Sequence, residues 1–161
     1  MDMKDVITNW FAWLKQATST EDEQLSHVYS DGRQLWATNG YVLHALDVAM
    51  EKSGRVELNE EGLFQVEEVE TLPSFADTLP KDEPAASIVV SADALRQVAA
   101  GQEGFVRLSL YGENQALELA SAGKYALVMP ALDVLEESFW RPQDLVATPP
   151  LVPRQKAADS S

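Results

Sequence analysis

Chemistry at a protein surface needs particular side chains at particular spacings, and this sequence offers few. Its two histidines, His27 and His44, lie in stretches of strand-like character, with no serine or carboxylate at a recognised motif spacing. A histidine packed into a sheet is the simpler expectation than a general base. Cysteine is absent, which removes thiolate nucleophiles, disulfides and cysteine metal sites. No GxxxxGKS, HExxH or GxSxG pattern occurs. The carboxylate clusters Glu21-Asp22-Glu23, Glu60-Glu61 and Glu67-Glu68 are contiguous, whereas a calcium loop spaces its ligands at alternate positions. They read as solvated acidic surface. The sequence therefore assigns no catalytic residue, no metal ligand and no cofactor, and a non-enzyme is expected.

The charge balance narrows the classes of partner. Twelve Lys and Arg stand against 26 Asp and Glu, a net charge of −14 over 161 residues. Ten acidic and three basic residues fall within 51–83, so half of the net charge sits in that segment. Binding to phosphate backbones is driven by basic residues that displace counterions, and a chain this acidic is not an obvious nucleic-acid binder. The apolar fraction of 45% is enough for a core. No apolar run approaches the roughly 20 residues of a membrane span, and the opening MDMKDVITNW lacks a signal peptide's basic start and apolar run. With the lack of cysteine, these features predict a cytoplasmic protein with no membrane association.

Periodicity supplies the elements that must position any site. Met3, Val6, Ile7, Trp10, Phe11, Leu14 and Ala17 recur at three- and four-residue steps and predict a helix. Lys4, Thr8, Ala12 and Lys15 lie on its opposite face. Three strands are expected over Leu25–Ser30, Gln34–Thr38 and Tyr41–Val48, joined at Asp31-Gly32 and Asn39-Gly40 as tight type I′ hairpins. Val56–Leu58 and Leu63–Val66 predict an acidic hairpin around residues 59–62, and the prolines of 71–87 predict a loop. Ile88–Val90 then reads as a short strand. Ser91 caps a helix through Ala100 with a stripe of Leu95, Val98 and Ala99, closed by Gly101. Strands follow at Phe105–Tyr111, Ala116–Ser121 and Tyr125–Met129.

Helix followed by antiparallel meander thus occurs twice, which predicts an α+β domain of two pseudo-repeated halves over residues 1–140. The segment 51–87 stands between the halves as an acidic insertion. Residues 141–161 carry four of the eight prolines and are expected to form a flexible tail.

The stretch Leu35-Trp-Ala-Thr-Asn-Gly-Tyr-Val-Leu43 resembles the "ATDGHRL" hairpin of the bacterial β sliding clamp, the processivity subunit of DNA polymerase III. Residues 90–100, Phe105–Leu110 and Tyr125-Ala-Leu-Val-Met-Pro130 resemble that family's last half-domain, which ends in a "YVVMP"-like strand. The element order is similar over roughly residues 3–131. The resemblance implies a single DNA-clamp domain of a divergent, phage-type kind. It departs from the family in lacking a strand before the first helix and in the long acidic connection at 51–87.

Two sets of site residues follow from the resemblance. Family clamps hold a client's short apolar motif against the hairpin and the last strand, which maps onto Thr38, Gly40, Tyr41, Val42 and Leu43 with Leu127, Met129 and Pro130. Here the family's Asp is Asn39 and its His-Arg pair is Tyr41-Val42, so charge complementarity to a client is altered. The other reading makes these ordinary hairpin and core residues. The second set faces duplex DNA without sequence preference: Lys4, Thr8 and Lys15 on the first helix, Arg96 and Gln97 on the second. Against it stands the reading of ordinary solvated side chains.

The expected function is a sliding-clamp-like, replication-associated processivity factor that recruits a polymerase or other DNA-processing client, with homo-oligomerisation into a ring. The alternative is an acidic protein-binding module (an adaptor, inhibitor or DNA mimic) that never encircles DNA. A structural protein using the same fold is a third class.

Overall fold

The computed structural model describes residues 2–112, 114–134 and 139–143. Of the expected tail, all but its first three residues lies outside the described residues. The chain is a mixed α+β protein with helices and antiparallel sheets. It forms two compact units, one built on Met1–Pro80 and rejoined at Trp140, the other spanning Lys81–Phe139.

The first unit begins with helix α1 (Met3–Lys15), capped by the Asp2 carboxylate, which accepts from Asp5 N at 3.0 Å. Its sheet runs through β1 (Val28–Asp31), β2 (Leu35–Thr38), β3 (Leu43–Leu46), β4 (Ser53–Leu58) and β5 (Phe64–Glu67), in the spatial order β3-β2-β1-β4-β5. The acidic hairpin expected as an insertion is therefore part of the sheet, because β4 pairs antiparallel with β1 through Val28↔Val56 to Asp31↔Ser53.

Alternation then sorts the side chains. On one face Val28, Leu35, Ala37 and Val56 pack with Leu14 and Ala17 from the helix side. Only Ile7, Leu14 and Ala17 of the predicted helical stripe are buried; Met3 and Trp10 face solvent. Trp13, outside that stripe, stacks on His44 with ring centroids 4.1 Å apart, and His44 Nδ1 lies 2.8 Å from the Trp13 carbonyl oxygen. That contact seats the His44 ring of β3 against α1. The opposite face carries Tyr29 and Trp36, covered by Phe75 with Leu72 and Leu79. The segment expected as a plain proline loop thus supplies the lid of a second small core, with a 3-10 turn at Ala76–Thr78.

Several boundaries moved for local reasons. The strand expected from Leu25 starts at Val28, because Asp22 caps Gln24 N at 3.0 Å and turns Glu23–Leu25 into a 3-10 turn. Both hairpin turns are centred one residue later than predicted, on Gly32-Arg33 and Gly40-Tyr41. The Asp31 carboxylate accepts from Arg33 N at 2.9 Å and Gln34 N at 3.1 Å. Asn39 does the same for Tyr41 N at 2.8 Å and Val42 N at 3.0 Å. The preceding Asx side chain thus closes the turn, and glycine takes the positive φ, +95° at Gly32 and +92° at Gly40. Asn39→Ala is expected to cost about 1 kcal/mol and to speed hydrogen exchange at Tyr41 and Val42, whereas Asn39→Asp, which keeps the acceptor, is expected to leave both near wild type.

The second unit contains α2 (Ala92–Ala100) and the meander β6 (Arg107–Leu110), β7 (Leu117–Ser121) and β8 (Lys124–Val128), in that order. Ser91 caps α2 as predicted, accepting from Ala94 N at 3.2 Å. The helix packs through Ala94 and Val98 onto Leu117, Leu119 and Val128; Val98 holds its predicted place, while Leu95, at 36%, and Ala99 are exposed. Ile88–Val90 forms no strand. It contributes Ile88 and Val90 to this core, and Val89 O accepts from Ala131 N at 2.8 Å. Among the described residues no helix is long and apolar enough to cross a membrane.

Candidate functional site

The residues assigned to client binding lie in both units, Thr38 to Leu43 in the first and Leu127, Met129 and Pro130 in the second. In the first unit the turn raises Tyr41 to the tip of the β2–β3 hairpin, where it is 94% exposed, with Val42 beside it at 48%. Thr38 braces the turn: its hydroxyl donates to Val42 O at 2.6 Å and accepts from Gly40 N at 3.1 Å. Leu43 points back into the sheet and packs on the cluster of Tyr29, Trp36 and Phe75. The hairpin therefore has an anchored base and an apolar tip.

In the second unit Leu127 is 49% and Met129 68% exposed, while Pro130 is half-buried. Leu127 stands opposite Glu118 in the β7–β8 register. Glu118 is held by two hydroxyls, Tyr111 donating to Oε1 at 2.7 Å and Tyr125 donating to Oε2. The sequence reading missed this trio because its members lie seven residues apart in each direction. The alternation of β6, β7 and β8 would have found it once their pairing was known. The edge strand β6 adds Leu108, 59% exposed, and Leu110, 46% exposed. The second unit thus presents aromatic and aliphatic groups around a fixed carboxylate.

The electrostatics follow from those bonds. Two donated hydroxyls, Tyr125 first, hold the Glu118 carboxyl below its ordinary value of 4.5. The same bonds hold the Tyr111 and Tyr125 phenols above 10.0, since ionisation would place their charge against the carboxylate. The carboxylate's contribution is present above the ordinary carboxylate range and is lost as pH falls through its lowered value. That of the tyrosines is present below 10.0 and is lost as pH rises through their raised values. An ultraviolet titration is expected to show both phenols ionising late, and Glu118→Gln to move them back toward 10.0.

No family model, curated protein or solved structure matches the chain.

The residues assigned to DNA are all exposed, and the three cations among them also contact groups of the chain itself. The Lys4 stem lies along Gly62, where an added methyl would meet its Cγ at 2.7 Å. Lys15 donates from Nζ to Ser26 O at 3.3 Å. Arg96 forms an exposed ion pair with Asp93 one turn earlier. Thr8 and Gln97 are exposed. Lys4, Thr8 and Lys15 belong to one unit and Arg96 and Gln97 to the other. Among the described residues no group of three or more His, Cys, Asp or Glu could hold a metal ion.

Proposed function

We propose that this protein is a non-catalytic, clamp-like recruiting factor of DNA replication or repair that binds an apolar linear motif of a client. One observation carries the reading: Tyr41, Val42, Leu127 and Met129, the positions that the clamp resemblance assigns to client contact, hold large apolar side chains in solvent. Scattered exposed apolar residues are ordinary, but a Tyr at 94% on a braced turn is set to be covered by something else. The order of helix then antiparallel strands in each unit supports the clamp-like part, and the open edges of both sheets support self-association.

A second reading, an acidic adaptor that binds its partner without encircling DNA, is favoured by the engagement of Lys15 and Arg96 with groups of the chain itself. Light scattering of the native particle with and without primed duplex, beside fluorescence anisotropy with an apolar client-motif peptide, tests both. The recruiting reading expects peptide binding that weakens about tenfold in Tyr41→Ala or Met129→Ala. Its clamp-like form also expects a particle of several 17.7 kDa chains that retains duplex. A monomer that binds neither peptide nor duplex overturns it. Partner binding that survives without duplex, and is lost on reversing the carboxylates of 57–70, selects the adaptor.

A further inference from the structure

The edge strand β6 lies within a run of seven residues, Phe105-Val-Arg-Leu-Ser-Leu-Tyr111, whose chemistry is the same in both directions. Outward from Leu108 stand two polar residues, Arg107 and Ser109, then two aliphatic ones, Val106 and Leu110, then two aromatic ones, Phe105 and Tyr111. All five apolar members face solvent, Phe105 at 97%, Tyr111 at 65%, Leu108 at 59%, Leu110 at 46% and Val106 at 42%. Among the described residues β6 pairs with β7 and has no strand on its other side. Exposed edges are commonly guarded by charge, yet in a chain with 26 carboxylates this run holds none. The other edges differ: Leu46 of β3, Phe64 and Val66 of β5 and Val128 of β8 are half-buried or buried in the cores.

An antiparallel neighbour runs backwards across a strand, so a strand that is the same in both directions complements its own copy about a two-fold axis. With the axis at Leu108, Leu108 meets Leu108, Val106 meets Leu110, Arg107 meets Ser109 and Phe105 meets Tyr111, each unlike pair twice. Aromatic and aliphatic cross-strand pairs of this kind stabilise a sheet. Leu108 and Leu110 lie on the face that α2 packs against, so the second copy covers the strip that the helix leaves bare. Charge fits the same register. Glu118 stands opposite Ser109, which places Arg107 of the second copy in its row with only the small serine between. The Tyr111 and Tyr125 hydroxyls already hold that carboxylate in position. A register centred on Ser109 would set Arg107 against Tyr111 and lose this pairing.

We infer that β6 is a two-fold docking edge for a second copy of this chain, joining two second units into one six-stranded sheet of order β8-β7-β6-β6-β7-β8. This goes beyond the recruiting reading, which names no edge, and rests on neither client nor duplex binding.

The chain has no cysteine, so a single introduced thiol reports the register. Directly opposed Cβ atoms lie about 4.5–5.5 Å apart, within a small adjustment of disulfide geometry. Under oxidised glutathione, Leu108→Cys is expected to give a covalent dimer of two 17.7 kDa chains. Ser109→Cys and Val106→Cys, whose copies would be offset by about 7 and 14 Å along the strands, are expected to remain uncrosslinked. Light scattering of the native chain is expected to show a reversible dimer with a dissociation constant on the order of 10 µM, as suits one strand per copy. The dimer should strengthen with salt, because each chain carries −14. Phe105→Asp, at a position 97% exposed, is expected to weaken it about tenfold with circular dichroism unchanged. A native chain that stays monomeric far above that concentration overturns the inference. So does crosslinking through Ser109→Cys or Val106→Cys in place of Leu108→Cys. A two-fold dimer that binds no client peptide removes the recruiting reading alone, and a monomer that binds the peptide removes this inference alone.

Discussion

Trp36→Ala is expected to lower the stability of the first unit by about 3–5 kcal/mol, out of the roughly 5–15 kcal/mol that holds a domain folded. Trp36 is 1% exposed and is the largest fully buried side chain among the described residues. Its ring packs between Tyr29 and Phe75, with centroids 5.3 Å from each. Removing it opens a cavity at the centre of the smaller core, and the segment 72–79 loses its main contact with the sheet. Urea unfolding followed by far-ultraviolet circular dichroism checks this, since secondary structure reports the loss without needing the deleted indole. Trp36→Phe is the informative control. Its indole Nε1 is buried without a hydrogen-bond partner, so the shorter ring sheds an unsatisfied donor while keeping most of the contact area. The expected loss is below about 2 kcal/mol. A Trp36→Phe protein as unstable as Trp36→Ala would mean that the nitrogen has a partner after all.

The same substitution bears on function. Leu43, at the base of the hairpin, packs on the Tyr29, Trp36 and Phe75 cluster. Loss of Trp36 should therefore loosen the platform that holds Tyr41 outward, and peptide binding is expected to weaken in step with stability. In Tyr41→Ala, by contrast, binding should weaken while stability holds, because that ring touches little in the folded unit.

What the sequence revealed and what it hid divide along sequence separation. Helix α1, the two tight hairpins and the Ser91 cap are written in contacts a few residues apart, and all were legible. The turn centres slipped by one because an Asx-Gly pair can supply either two central residues or a capping side chain and one glycine. Asp31 and Asn39 take the second course. Long-range pairing was hidden: nothing in Gly54–Val56 announces β1 as its neighbour, and so the acidic hairpin looked detached. The proline segment hid Phe75 for the same reason, since an isolated aromatic in a loop carries no period. Burial on β6 does not follow from alternation alone. Leu108 and Leu110 do share a face with the core residues Leu119 and Leu117, yet α2 packs on residues of β7 and β8 and leaves that edge exposed. Of the candidate site, the hairpin tip and last strand were assigned through resemblance alone. The Tyr111–Glu118–Tyr125 trio exists only once strands are paired.

Gly54→Ala is expected to be the most damaging single methyl in the protein, at about 3–5 kcal/mol, from left-handed backbone strain and overpacking together. Gly54 lies in β4 opposite Ser30 with φ of +151°, a conformation that L side chains rarely adopt. A methyl there would lie 2.8 Å from Glu67 C and 2.9 Å from Glu68 Cα, and closer still to the Glu67 carbonyl oxygen. These are backbone atoms at the end of the neighbouring β5 and just past it, so no side chain can swing aside. Relief requires β5 to move off β4, which breaks the Arg55↔Glu67 to Leu58↔Phe64 ladder and withdraws Phe64 and Val66 from the helix-side core. Hydrogen exchange should therefore quicken first at the amides of β4 and β5, with β2 and β3 following only on global unfolding. Gly40→Ala isolates the backbone contribution. It too has positive φ, +92°, but nothing lies within 4 Å of the added methyl, and a loss near 1 kcal/mol is expected. Equal losses in the two proteins would show that β5 yields without cost, and would place the edge of this sheet outside its cooperative core.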